Sequence, residues 1–380
     1  MNLKDKATIK IYTGQLLKNH KPLYFLEGIF TGERSNAKHL WNMFQGESGD
    51  APLDFLRVVS DPALADFILL PYNYPFLIKT RNDAINKYIS HLIAMAEAHK
   101  KQLLIFAMVD SDEHITLPHS LIFRYSQYRY KKLKNEIIIP PYMLHSRSDK
   151  LKDYRTKLWK KIIMREKSAM PTVSFCGWAG FPNIYRKFTY LLRLLLTDIK
   201  AFVSRDQYAE LHKSGIYFRR EAISAFSGSS KIKTNFIIRK AFSAQRGLDG
   251  KDFINPEKAE KESIESIVNS NFVLAPKGYG NASVRFFEAL SLGRFPVLIN
   301  TDCELPLKDY IDYDKFVVTV DHMNIKNTEK AIIDFYNSLT NEEYKRRQKM
   351  AREAFELLRP GSFLKIVLSE LKYAKRSYKI

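Results

Sequence analysis

The chain has 380 residues, of which 45% are hydrophobic and 13% aromatic. These proportions exclude a disordered chain, and the length favours two domains over one hydrophobic core. The 61 Lys and Arg residues outnumber the 41 Asp and Glu residues, which gives a formal net charge of +20. Such an excess attracts anions, so nucleic acid, anionic lipid headgroups, acidic glycans and diphosphates all stay open as partners. The two cysteines exclude a disulfide framework.

The amino-terminal sequence has no apolar stretch of the kind that a signal peptide needs. The longest apolar run, 190–199, is interrupted by Arg193 and is too short to cross a bilayer. We therefore expect a cytoplasmic protein and leave open a peripheral contact with the inner face of a membrane.

Short apolar runs alternate with helical patterns along the chain, which is typical of an α/β fold with parallel sheets. We expect strands at 7–13, 66–72 (ended by Pro71), 102–110, 136–142, 172–180, 272–275, 295–300 and 315–321. We expect helices at 82–98, at 149–167, from Asn183, over 324–358 and from Ser362. The basic segment 149–167 predicts a division into two Rossmann-like domains, 1–160 and 161–355. A final helix over 356–380 could cross back to the first domain.

The segment from Ser270 to Pro306 carries the clearest chemical pattern. A buried strand ends at a loop with two glycines, where the backbone can come close to a ligand. Asn281 or Ser283 can cap the following helix, whose N-terminus offers free N–H groups and a positive dipole end. Such an end favours an anion.

Two side chains of that helix suit a nucleotide. Arg285 and Glu288 are three residues apart and share a face. A guanidinium at this place suits a diphosphate, and the carboxylate suits ribose hydroxyls. Lys277, in the glycine loop, adds a second cation. An ordinary strand, loop and helix with a solvated Arg–Glu pair explains the same shape, so shape alone does not decide.

This segment resembles the exostosin family, glycosyltransferase family 47. The family signature is matched at Ser270, Phe272, Pro276, Lys277, Gly278, Ser283, Arg285, Phe287, Glu288, Ala289, Gly293, Pro296, Val297, Leu305 and Pro306. Looser matches follow the family order at 61–72, at 135–142 and in the strand before Gly177, with Arg186 after it. The resemblance therefore covers about 55–320.

The resemblance implies a GT-B fold, in which two Rossmann-like domains face each other across a cleft. The N-terminal domain would bind the acceptor and the C-terminal domain the nucleotide-sugar. It also implies inverting transfer of a hexosyl or glycuronosyl unit, without a metal or other cofactor. UDP is the favoured nucleotide, and an anionic or lipid-linked glycan the acceptor, in polysaccharide or glycoconjugate synthesis. By analogy the donor would contact Gly177, Lys277, Gly278, Ser283, Arg285 and Glu288.

Inverting transfer needs a base that takes the proton of the acceptor hydroxyl. Ligands of open α/β sheets bind at the carboxyl ends of the strands, where the sequence VDSDEH follows the strand 102–110. We predict Asp110 and Asp112 as the catalytic residues. Glu113, His114 and, on another loop, Glu27 are the further candidates. The triplet Asp-Ser-Asp also spells a metal-binding motif of other glycosyltransferases, but further oxygen ligands are not identifiable, so we predict no metal site.

Other basic segments leave alternatives open. The segment 123–134 interleaves aromatic and cationic residues, which suits a nucleic acid, a glycan, a lipid surface or simply a solvated strand edge. The segment 184–196 could lie on a membrane as a basic amphipathic helix, or pack in the core. The alternative functions are nucleic-acid binding and non-catalytic glycan binding on a Rossmann-like scaffold. The first is disfavoured because the sequence has no Walker A, RRM or zinc-finger pattern.

Overall fold

The structure is a computed structural model that describes residues 8–23, 25–26, 29–30, 53, 55–80, 82–141, 164–240 and 255–377. The chain forms two compact units. Unit 1 consists of Met1–Tyr142, Glu304–Leu307 and Glu356–Ile380, and unit 2 of Met143–Cys303 and Lys308–Phe355.

The strands and helices of the described residues are numbered in chain order. The strands are β1 Ile9–Tyr12, β2 Leu56–Val58, β3 Phe67–Asn73, β4 Leu103–Ala107, β5 Ser120–Arg124, β6 Glu136–Ile138, β7 Thr172–Trp178, β8 Lys233–Arg239, β9 Phe272–Ala275, β10 Phe295–Asn300 and β11 Val318–Asp321. The helices are α1 Tyr74–Ile78, α2 Asp83–Ala98, α3 Ile184–Ser204, α4 Gly215–Ser224, α5 Pro256–Val268, α6 Val284–Ser291, α7 Thr328–Asn337, α8 Asn341–Leu358 and α9 Pro360–Ser377.

Unit 1 is built on a parallel sheet in the order β2-β1-β3-β4-β5-β6. All residues of β4 and β5 are buried, as expected for parallel strands that are covered on both faces. Helix α2 begins after Asn82, whose side chain accepts a hydrogen bond from the Ala84 N–H. Its apolar stripe then packs against the sheet through Ile85, Ile89, Leu92 and Ala96.

Helix α9 packs within unit 1. The Lys372 ammonium donates to the Thr8 carbonyl at 3.0 Å and lies 2.8 Å from the Asp66 carboxylate. Phe363 and Leu364 of the same helix are buried. The last helix therefore belongs to the same unit as the first strands of the chain.

Unit 2 is built on a parallel sheet in the order β11-β10-β9-β7-β8. The chain first moves from β7 to β8 on one side and then crosses to β9 on the other. The order of connection therefore reverses between β7 and β9. In open α/β sheets, ligands bind beyond the carboxyl ends of the two strands at such a switch point.

The α/β prediction is confirmed, since each unit contains a parallel sheet with helices. Three short or polar strands, β2, β5 and β8, are not predicted from the sequence. The prediction that Pro71 ends its strand was wrong, because β3 continues to Asn73. The pairing of β3 with β4 shifts register between Leu69 and Asn73, so the missing N–H of the proline falls at an irregular part of the ladder.

The helical segment predicted over 324–358 is two helices, α7 and α8. Of the helix predicted at 149–167, residues 149–163 lie outside the described part, and 164–167 are not helical. The relation between the two units, and with it the predicted cleft, stays a prediction.

Candidate functional site

Arg285 of α6 reaches back to the end of β7, at the switch point of unit 2. Its Nε donates to the Cys176 carbonyl at 2.8 Å, and its guanidinium lies 4.8 Å from the centre of the Phe175 ring. Strands β7 and β9 are neighbours, with Val173 opposite Phe272. The helix that follows β9 thus sends its first cation across to β7.

Gly177 makes this approach possible. A Cβ atom at Gly177 would collide with Nη2 of Arg285. The space beside Gly177, where the resemblance predicts that the donor comes close, is therefore filled by the Arg285 side chain. Contact between Gly177 and a donor stays a prediction.

A second arginine, Arg219 of α4, is buried at the same strand ends. It is 6% exposed; its Nη1 donates to the Trp178 carbonyl at 3.2 Å and its Nη2 to the Lys277 carbonyl at 3.5 Å. Its Nε is buried without a hydrogen-bond partner among the described residues. Burial and, secondarily, the charge of Arg285 lower the pKa of Arg219 to about 10.

The described part of the chain provides no carboxylate ion pair for either Arg219 or Arg285. Burial lowers the pKa of Arg285, and the nearby Glu288 carboxylate partly opposes this. Arg239, at the end of the adjacent strand β8, instead pairs with Glu262 at 2.9 Å. Two neighbouring desolvated cations without such a partner favour an anion beside them.

Ser283 occupies the N-cap position of α6, as one of the two predicted alternatives. Its side chain makes no capping hydrogen bond, although the residue is only 6% exposed. Its hydroxyl has no partner in the described part of the chain. A buried hydroxyl without a partner is costly. A ligand at the start of the helix could therefore satisfy this hydroxyl.

The glycine loop before α6 is held in one shape by backbone contacts. The Gly278 N–H donates to the Ala282 carbonyl at 2.7 Å. A Cβ at Gly215, the first residue of α4, would collide with the Gly278 carbonyl. Gly215 therefore allows α4, and with it Arg219, to pack directly against the loop.

The two other side chains predicted to contact the donor, Lys277 and Glu288, differ in whether they already form hydrogen bonds within the protein. The Lys277 ammonium is buried, donates to the Leu211 carbonyl at 2.6 Å and lies 5.2 Å from the centre of the Phe218 ring. The Lys277 ammonium is therefore engaged inside the protein, and its contact with a phosphate stays a prediction. The Glu288 carboxylate is half-buried and accepts no hydrogen bond within the described residues, so it can accept one from a ligand.

Asp110 and Asp112 follow β4 in unit 1 and differ in their surroundings. The Asp112 carboxylate pairs with the Lys131 ammonium at 2.6 Å. Asp110 forms no ion pair with a described residue. Desolvation by the surrounding protein raises the pKa of its carboxyl, although the residue as a whole is exposed to solvent. Within the described residues no group of three or more His, Cys, Asp or Glu side chains is placed to hold a metal ion. Glu27 lies outside the described part.

Arg124 holds the loop that carries these acids. Its buried guanidinium donates to the Ser111 carbonyl and, at 3.2 Å, to the Glu113 carbonyl, and it pairs with Glu136. His114 lies 3.7 Å from the same Glu136 carboxylate. Since both backbone and side-chain groups fix this loop, Asp110 is presented on a rigid support. The catalytic roles of Asp110 and Asp112 stay predictions.

Comparison with known proteins agrees with the resemblance. Residues 201–335 match the Exostosin GT47 domain. Exostosin-1c of Danio rerio is 33% identical over 84 residues, which are 21% of this chain and 11% of that protein. A probable glycosyltransferase of Arabidopsis thaliana is 35% identical over 93 residues, 24% of this chain and 18% of that protein. The chain thus spans less than a fifth of either relative.

Among solved structures, a variant of TarM from S. aureus in complex with fondaparinux, alpha-GlcNAc-glycerol and UDP aligns with a TM-score of 0.36 and 10% identity. The alignment covers 81% of this chain and 54% of that chain. The matched domain, 201–335, contains Arg219, Ser283, Arg285 and Glu288. Residues 201–335 of this chain are therefore similar to the Exostosin GT47 domain.

Proposed function

We propose that this protein is a glycosyltransferase that binds the diphosphate of a nucleotide-sugar at the switch point of unit 2. The observation that carries the proposal is the pair of the buried Arg219 and the half-buried Arg285, two neighbouring cations that form no ion pair with a carboxylate in the described part of the chain. A diphosphate supplies the negative charge that this pair lacks, through bidentate hydrogen bonds.

The same groups would assist the chemistry. When the bond between the anomeric carbon and the diphosphate breaks, negative charge grows on the departing phosphate oxygen. Fixed cations and helix N–H groups stabilise that charge without rearranging, because they are already in place. The charge they supply supports transfer without a metal, and inversion at the anomeric carbon is proposed from the family resemblance. The Glu288 carboxylate would accept hydrogen bonds from the ribose, and UDP is the proposed nucleotide.

The base is proposed in unit 1. Of the two predicted carboxylates, Asp110 is the better candidate, since its raised pKa makes it a stronger base than an ordinary carboxylate. The Asp112 carboxylate is engaged by the Lys131 ammonium, so it is less available to an acceptor hydroxyl. The acceptor is proposed to be a glycan or a lipid-linked saccharide.

The test is the binding of UDP and UDP-sugars, measured by calorimetry, to the wild type and to Arg219→Gln and Arg285→Gln. Each substitution is expected to weaken binding by at least about tenfold, since hydrogen bonds to charged groups contribute about 1.5–3 kcal/mol. Arg220→Gln is the matched control, because Arg220 lies on the same helix but donates to the Ala179 carbonyl. Equal binding by all four proteins would refute the proposed site.

A further inference from the structure

Helix α3 presents an extended apolar face to solvent. Ten of its large hydrophobic side chains are 44–85% exposed: Ile184, Tyr185, Phe188, Leu191, Leu192, Leu195, Leu196, Ile199, Phe202 and Val203. No residue of this helix is fully buried. Isolated exposed hydrophobic residues are ordinary in proteins, whereas a contiguous patch of this kind marks an interaction surface.

The exposed residues share one side of the helix. At about 100° per residue, the positions from Ile184 through Leu191 and Leu195 to Phe202 form one stripe. Tyr190, Leu194 and Ala201 are half-buried and lie on the opposite side. Packing of this helix in the core, one of the two alternatives left open by the sequence, would bury the apolar stripe. In the structure the stripe instead points away from the protein.

The opposite side fixes the helix to unit 2. The Tyr190 ring lies 5.0 Å from the Phe181 ring, and the Asp198 carboxylate lies 2.9 Å from the Lys213 ammonium. Burial raises the pKa of Tyr190 to about 12. The helix is therefore attached to unit 2 through Tyr190 and Asp198, and its apolar stripe is left uncovered.

Cations flank the stripe. Lys187 lies at one margin, and Arg193 and Lys200 lie at the other, all of them exposed. A second copy of the chain, paired through the same stripe, would bring two sets of these cations together. An anionic bilayer surface instead offers acyl chains to the stripe and negative headgroups to its margins.

We propose that α3 is a membrane-binding helix, which lies in the surface of an anionic bilayer with its apolar stripe among the acyl chains. Within the described residues no helix is long and apolar enough to cross a membrane, and a helix in this orientation does not need to cross it. Lys187, Arg193 and Lys200 contact the headgroups. The contact is made by unit 2 alone and does not depend on the proposed transferase activity.

The test is co-sedimentation of the full chain with vesicles, either of pure phosphatidylcholine or of phosphatidylcholine and phosphatidylglycerol in equal amounts. The triple variant Leu191→Ser, Leu195→Ser, Ile199→Ser removes the middle of the stripe. The matched control, Leu64→Ser, Phe76→Ser, Met323→Ser, removes three apolar side chains that are 59%, 59% and 68% exposed elsewhere. Lys200→Glu tests the charge without altering the stripe.

The wild type and the control are expected to bind the anionic vesicles more tightly than the neutral ones. The stripe variant is expected to lose at least about tenfold in partitioning, because each apolar side chain that leaves the bilayer forfeits its transfer free energy. Lys200→Glu is expected to weaken binding to anionic vesicles only. The proposal is overturned if the wild type stays in the supernatant, or if the stripe variant binds as well as the wild type. A dimer in light scattering that the stripe variant converts to a monomer would also overturn it.

Discussion

The guanidinium of Arg285 occupies the space that a side chain on Gly177 would need. Gly177 therefore has a steric role at the end of β7, because its missing side chain leaves room for the guanidinium of Arg285, which comes from helix α6. We expect Gly177→Ala to displace the guanidinium and to weaken UDP binding about as much as Arg285→Ala does, at least about tenfold. In the double variant the two effects should not add, because both act on one contact. Calorimetric titration of the three variants measures this, and simple additivity would contradict it.

Arg219 is expected to strengthen ligand binding while lowering the free energy of unfolding of the protein without ligand. Burial and the neighbouring charge of Arg285 lower its pKa to about 10, so its charged form is disfavoured in the folded state. Arg219→Met should therefore leave the free energy of unfolding unchanged or raise it by about 1 kcal/mol, while UDP binding falls. Urea denaturation without nucleotide measures the first effect. A loss of more than about 2 kcal/mol would instead assign Arg219 a structural role.

The Ser283 hydroxyl is expected to act on a ligand and not on the helix. A serine that caps a helix loses about 0.5–2 kcal/mol of stability when it is changed to alanine. Because Ser283 makes no capping bond, Ser283→Ala should cost less than that, while weakening UDP binding by about fivefold. Asn82→Ala is the control, since the Asn82 side chain does cap α2 and its loss should lower stability without changing UDP affinity. The reverse pattern would show that Ser283 is an ordinary cap.

The raised pKa of Asp110 predicts a pH dependence. If Asp110 is the base, kcat/KM should fall as the pH drops through its folded-state pKa, which lies above the ordinary 3.8. Asp110→Asn should abolish transfer while UDP binding persists. The same substitution should stabilise the protein at neutral pH relative to the wild type, because the charged carboxylate is disfavoured by folding, and this difference should vanish at pH values below 3.8. An acid limb that persists in Asp110→Asn would point to another base.

Much of the site could be predicted from sequence because its central part is local. The strand, glycine loop and helix of 272–291 follow one another directly, and the spacing of Arg285 and Glu288 on α6 follows from the helical repeat. Arg219 could not be found in this way. It lies next to another arginine in the sequence FRRE, and only the packing of Gly215 against Gly278 brings it to the strand ends.

Lys277 and helix α3 show two further features that the sequence alone does not determine. The place of Lys277 in the loop predicts a phosphate contact, which stays a prediction. What the sequence does not indicate is that the Lys277 ammonium donates to the carbonyl of Leu211, 66 residues away. The sequence of α3 predicts an amphipathic helix, yet the same periodicity fits burial in a core or exposure to a bilayer. Only the position of Tyr190 against Phe181 fixes which side faces the protein.

The placement of α9 has a consequence for anyone who would express the halves separately. Unit 1 takes its last helix from beyond the end of unit 2, and the four residues Glu304–Leu307 from within it. A chain cut after Phe355 would strip unit 1 of the buried Phe363 and Leu364 and of the Lys372 contact with Asp66. No single cut in the chain therefore yields two fragments that each hold all the residues of one unit.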